Sequence, residues 1–285
     1  GRRHRDFHEG EWITSARRPV GSPTMTYEAF YEPAGAGRFA ATPATAGPWD
    51  PAAQHAGPPS ALLARALAAH EAVDGQLLSR VTVDILRPVP VAELTLRVRT
   101  LRAGRRVTLV EGIAEAGGQE VLHARGWRII APAEPTPATP DDGPAVPGPD
   151  SGTEPELWAT AHTDGYLSSM QWRVVSGAFA EPGPARVWAR PRIPLVPDEP
   201  VRPAELALLV ADSGSGVSAR LDLARWLFVN VDLTVTLHRP PRGEWLLLDS
   251  ATTIGPHGSG LAASRLADLD GTVGEALQTL VVAPR

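Results

Sequence analysis

The chain has neither cysteine nor lysine. Without cysteine there are no disulfides, no thiolate nucleophile and no sulfur-ligated metal. The same absence fits a reducing compartment, so the cytoplasm is the expected location. All 27 basic side chains are arginine, and against 32 acids they leave a formal net charge of −5. That balance gives no footing for nucleic acid or an anionic membrane surface. No stretch approaches the ~20 apolar residues of a membrane span. Among the eight histidines the one HxxxH spacing, His4 and His8, lies in the polar run 1–24, and there is no HxH, so neither a metal nor another cofactor is expected. Residues 1–24 are polar and arginine-containing, with no apolar secretory core. They read as a disordered tail, with the first ordered domain starting at Met25.

What the chain does have is proline and glycine, 29 and 27 among 285 residues, and they are concentrated. Residues 131–155 read APAEPTPATPDDGPAVPGPDSGTEP, almost without apolar bulk. Such a run buries too little surface to offset its ordering entropy and is expected to be a linker. It separates a half at 25–130 from a half at 156–285, each about the size of one small domain.

The halves resemble each other. RVTVDILRP (80–88) lines up with DLTVTLHRP (232–240). Both alternate apolar and polar residues with a period of two, and both are stopped by Arg-Pro, as half-buried strands are. Strand-like runs follow at 93–101, 106–116 and 120–130, and again at 244–254, 260–267 and 276–282, separated by short turns that favour an antiparallel meander. One helical segment precedes each block. In the first half it is PPSALLARALAAH (58–70), with proline in the first turn and apolar residues nearly all round. In the second half it is 203–211, ending at Asp212 and a flexible Ser-Gly run. A sheet wrapped around one buried helix is the hotdog arrangement, and the expected fold class is therefore α+β: a double hotdog of two tandem antiparallel sheets.

Several stretches are similar to the bacterial acyl-CoA thioesterase II (TesB-type) family and its actinobacterial thioesterase-like relatives. In the first half these are WDPAAQHAGPP (49–59), the buried helix, ILRP (85–88) and TLRAGR (100–105). In the second they are LVAD (209–212), NVD (230–232) running to HRP (238–240), GEWLL (243–247), and Asp270-Gly271 followed by Gln278. Order and spacing over both halves carry the resemblance more than any one piece does. It implies hydrolysis of acyl thioesters, on CoA or a carrier protein, by a water held by an Asp, a Gln and a hydroxyl residue. The matching positions are Asp212, Gln278 and Asn230, so an amide stands where the family has a hydroxyl. An amide still donates to and accepts from water.

The residues themselves bear on these assignments. Asp212 can serve as general base, although a carboxylate beside a Ser-Gly run is also ordinary turn chemistry. Gln278 lies in the apolar run ALQTLVV, where an amide needs hydrogen-bond partners. Strict alternation puts Asn230 on the face of Asp232 and Thr234, so that face must meet a cleft. His55, Ala56 and Gly57 immediately precede a helix and are the expected substrate-binding residues, their backbone N–H groups available to an oxyanion; a loop histidine closing the turn is the plainer reading of His55. Arg102, Arg105 and Arg106 read as a solvated hairpin tip. Position 126, the counterpart of Gln278, is glycine, so one site per chain is expected. Two rival functions are a non-catalytic acyl-thioester binding protein and, ranked last, a hotdog hydratase or dehydratase. A fused pair is complete as a monomer, while exposed sheet edges leave a homo-oligomer open.

Overall fold

A computed structural model of the chain describes residues 27–285 apart from 142, 144, 158–160, 180 and 223–224. The expected tail, 1–24, lies outside the described residues. The first half comprises β1 (Tyr31–Gly35), β2 (Arg38–Ala41), helix α1 (Gly57–Ala69), β3 (Gln76–Ile85), β4 (Glu93–Arg102), β5 (Val107–Ala116) and β6 (Gln119–Ile130). The second half begins with the single turn α2 (Tyr166–Ser169), β7 (Met170–Ala178) and β8 (Glu181–Pro191). Helix α3 (Pro203–Ala211) and the short α4 (Gly214–Val217) follow, then β9 (Trp226–Asn230), β10 (Asp232–Leu237), β11 (Leu246–Ile254), β12 (Ser259–Asp268) and β13 (Gly271–Pro284).

The strands form one antiparallel sheet in the order β1-β2-β4-β5-β6-β3-β10-β13-β12-β11-β8-β7, with β9 paired to β13. The two runs that look alike in sequence are the seam. β3 and β10 pair antiparallel, Thr82 opposite Thr234 and Val83 opposite Leu233. Thr82 and Thr234 are also each other's counterparts, and their hydroxyls hydrogen-bond at 3.1 Å. A local twofold axis thus passes through this pair, relating residue n around the seam to residue n + 152.

Inward rows of β3 and β10 (Val81, Val83, Leu233, Val235) join α1 and α3 in one core that spans both halves. The two helices also touch. A Cβ on Gly57 would lie 2.5 Å from the Leu209 carbonyl oxygen, so only glycine lets the start of α1 approach the end of α3.

The structure joins the two expected sheets into one, departs from the sequence reading at Asn230 and at the Ser-Gly run, and adds contacts to the proline-rich segment. Asn230 does not share the face of Thr234, because alternation is interrupted at Val231. The register against β13 shifts by one residue between Asn230↔Leu280 and Thr234↔Leu277. This extra residue resets the phase as a β-bulge does, and the Thr279 N–H freed there donates to Asp232 Oδ1 at 2.6 Å. The Ser-Gly run after Asp212 is α4, held by Ser218 Oγ donating to the Gly214 carbonyl with Gly214 packed against Ser264 and Gln278. Finally, the proline-rich connection is pinned at its far end. The Asp141 carboxylate accepts from Thr272 N at 2.7 Å, Trp188 Nε1 donates to the Pro147 carbonyl, and Thr153 bridges Val174. Among the described residues no helix is long and apolar enough to cross a bilayer.

Candidate active site

Asp212 caps the C-terminal end of α3 and is 5% exposed. A carboxylate so buried requires compensating donors, and they come from distant parts of the chain. Its Oδ1 accepts from Asn230 Nδ2 at 2.8 Å and from Gln278 Nε2 at 3.2 Å. Its Oδ2 lies 3.0 Å from His55 Nδ1. Three of the sequence candidates thus converge on the fourth.

The network fixes the amide orientations. Asn230 Nδ2 also donates to the Asp232 carbonyl at 3.1 Å. Both contacts are acceptors, so the nitrogen must face them and Asn230 Oδ1 remains the free end. Gln278, 1% exposed, donates to the Asp212 carbonyl oxygen at 2.9 Å and accepts from Ser215 N at 2.9 Å. It ties α3, α4 and β13 together from behind the carboxylate.

His55 is set by two neighbours. Its ring stacks on Tyr166 with centroids 3.7 Å apart and planes 8° from parallel. The Tyr166 hydroxyl donates to the Leu209 carbonyl at 2.7 Å and lies 2.9 Å from Ser213 Oγ; burial raises its pKa, so it stays neutral. Burial likewise lowers the His55 pKa, partly offset by the Asp212 charge. The Nδ1 atom is 3.1 Å from the Gly57 N–H as well as 3.0 Å from Asp212. One ring nitrogen cannot serve both at once: bare, it accepts from Gly57; protonated, it donates to Asp212. A bare lone pair facing a carboxylate is repulsive, so a proton belongs in the His55–Asp212 contact.

In front of this cluster is a cavity of about 410 Å³, within the range of small-molecule sites. Its walls include Trp49, Ile85, Phe179 and Phe228, and its polar end presents His55, Asp212 and Asn230. Ala56 also faces it. Pro58 and Pro59 have no N–H and Gly57 does not line the cavity, so the cavity-lining N–H at this helix start is that of Ala56, which has no hydrogen bond among the described residues. Gln278 and Gly57 do not line the cavity. Nor do Arg102, Arg105 and Arg106, which lie at the β4–β5 turn away from it.

Tyr166, Ser213 and Ser215 escaped the sequence reading. Tyr166 stands 111 positions from His55 in a stretch with no periodicity, and the serines looked like loop. No group of three or more potential metal ligands occurs among the described residues.

Residues 45–129 match the family model of the acyl-CoA thioesterase N-terminal domain, and residues 140–282 match that of the C-terminal domain. No curated protein matches the chain. Among solved structures, a thioesterase II candidate from Thermobifida fusca YX is 18% identical, with 90% of this chain and 96% of that one covered at a TM-score of 0.70. A protein of unknown function with a hot dog fold from Alicyclobacillus acidocaldarius is 19% identical, with 86% and 92% covered at 0.69. The acyl-CoA thioesterase II TesB2 of Mycobacterium marinum is 19% identical, with 81% and 91% covered at 0.63. These likenesses give the chain a hotdog fold, and the two domain matches in tandem give it its kin: it belongs to the acyl-CoA thioesterase family.

Proposed function

We propose that the chain is a double hotdog, with halves at 25–130 and 156–285, that hydrolyses acyl thioesters by a water held between Asp212 and Asn230. The observation that carries this reading is the buried Asp212 carboxylate, clamped on Oδ1 by two amides and presented at the polar end of an apolar cavity. A water donating one hydrogen to Asp212 Oδ2 and the other to Asn230 Oδ1 keeps a lone pair for the carbonyl carbon. Asp212 takes a proton as the carbon–oxygen bond forms. The Ala56 N–H meets the developing oxyanion. The tetrahedral intermediate then expels the thiolate, which regains a proton, so thioester and water become carboxylic acid and thiol. Gln278 positions Asp212 from behind. The amide at 230 replaces a hydroxyl without loss of the water contact, because its two hydrogens are engaged inward and its oxygen is left for the water.

The test is free-thiol release from acyl-CoAs of graded chain length, with Asp212→Ala as the comparison. A fall of about 10²–10⁴-fold in turnover, with folding intact, is the expected result for loss of a general base. Saturable binding of intact acyl-CoA without turnover in the unaltered chain would instead make it a thioester-binding protein. Turnover untouched by Asp212→Ala would remove the proposed base.

A further inference from the structure

A second cavity, of about 210 Å³, lies on the other side of the seam, and it is the twofold counterpart of the first. Its residues 76–79 correspond to 228–231 of the first cavity under the n + 152 relation, and its residues 237–240 correspond to 85–88. Even the bulge is repeated. β3 shifts register against β6 between Leu78 and Arg80, as the β9–β10 run does after Asn230. The residue preceding each bulge faces its cavity.

The chemistry is not repeated. Leu78 takes the place of Asn230 and Gly126 that of Gln278, and the residue near the end of α1 that lines this cavity is Ala68, whereas Asp212 at the end of α3 lines the first. Leu78 Cδ1 lies 2.7 Å from where a Gly126 Cβ would be, so it fills the space of the missing amide. Apolar atoms therefore make most of the surface, with Leu77, Leu78, Pro203 and Leu237 prominent. At the rim stands Arg202, its side chain 48% exposed. Its acid contacts are long, 3.4 Å to Glu199 and 3.9 Å to Glu205, which leaves most of its five N–H donors unengaged.

We infer that this cavity is a second, non-hydrolytic ligand site that takes a free fatty acid, the alkyl chain inside and the carboxylate on Arg202. The small volume suits one hydrocarbon chain; it lies below the roughly 300 Å³ at which pockets for drug-sized ligands begin. A guanidinium is the side chain best matched to a carboxylate. The choice of a fatty acid, the product class of thioester hydrolysis, rests on the proposed function, but the binding does not require turnover.

Decanoate binding measured by calorimetry on the full chain tests this. One equivalent in this cavity is expected, in addition to any in the first. Ala68→Trp, which fills the second cavity at a half-buried position, should abolish that equivalent and leave thioester turnover unchanged. Arg202→Ala should weaken it about tenfold, the scale of one charge-assisted hydrogen bond, while binding of decanol is unaffected. Decanoate binding indifferent to both substitutions, or no binding at all, overturns the inference. Loss of the equivalent in Ala68→Trp upholds it even in a chain that shows no thioesterase activity.

Discussion

The end of α1 and the end of α3 each approach the bulged strand of their own half, yet only α3 ends in a carboxylate. α1 runs unbroken for 13 residues and is buried chiefly through alanine and leucine. α3 stops after 9 residues, and the chain turns at Asp212 into α4. Beneath α4 the sheet is polar: Ser250 pairs with Ser264 at 2.7 Å, and Ser218 with Thr252 at 2.7 Å. Beneath α1 the corresponding ground is close-packed. Cβ atoms on Gly112 or Gly126 would meet Leu63, Leu67 or Leu78 at 3.3 Å or less. Two copies of one scaffold have thus been given opposite interiors, one built to hold hydrogen-bond donors around a carboxylate and the other to exclude them.

Exchanging residues between the copies breaks the comparison where it matters most. Asn230→Leu imports the first-half residue, removes the proposed water acceptor and strips Asp212 Oδ1 of its 2.8 Å partner. Turnover should fall at least about 10²-fold, measured as thiol release, with the fold retained by circular dichroism. The reverse exchange, Gly126→Gln, forces an amide into the space of Leu78 and Leu67. It should cost about 1–3 kcal/mol by overpacking, read as a lowered denaturation midpoint, and confer no second activity. The smallest effect concerns pH. Burial lowers the His55 pKa from 6.5 in the folded chain, so below pH 6.5 the unfolded chain takes up a proton that the folded chain does not. Stability should fall from there toward the folded value, by at most about 1.4 kcal/mol per pH unit. Urea midpoints of the unaltered chain and His55→Gln should converge on acidification; parallel curves would mean that His55 is not buried as a neutral ring.

Much of the frame was legible because the forces behind it are periodic. The pair β3 and β10 announced itself by alternation and by terminal Arg-Pro, and α1 and α3 by proline starts and apolar composition. β1, β2, β7, β8 and β9 were not foreseen. They are short or interrupted by Gly and Pro, and β7 carries two register shifts against β8. Asp212 and Gln278 could be singled out as polar groups in apolar surroundings. The geometry of Asn230 could not, because a period of two carries no mark of an inserted residue, and the bulge at Val231 is what turns the side chain inward. The His55–Asp212 contact joins residues 157 positions apart, and only the assembled sheet brings them together.

The Thr82–Thr234 pair sets a rule for the seam. On a twofold axis a residue meets its own counterpart, so in a dimer of identical chains only groups that are complementary to themselves are tolerated there. A hydroxyl, donor and acceptor at once, qualifies; a carboxylate or a guanidinium would repel its twin. Joining the two copies in one polypeptide lifts that restriction, since codons 82 and 234 can mutate independently. An arginine at one and a glutamate at the other would make the halves recognise each other and refuse themselves, a lock that a dimer of identical chains cannot carry.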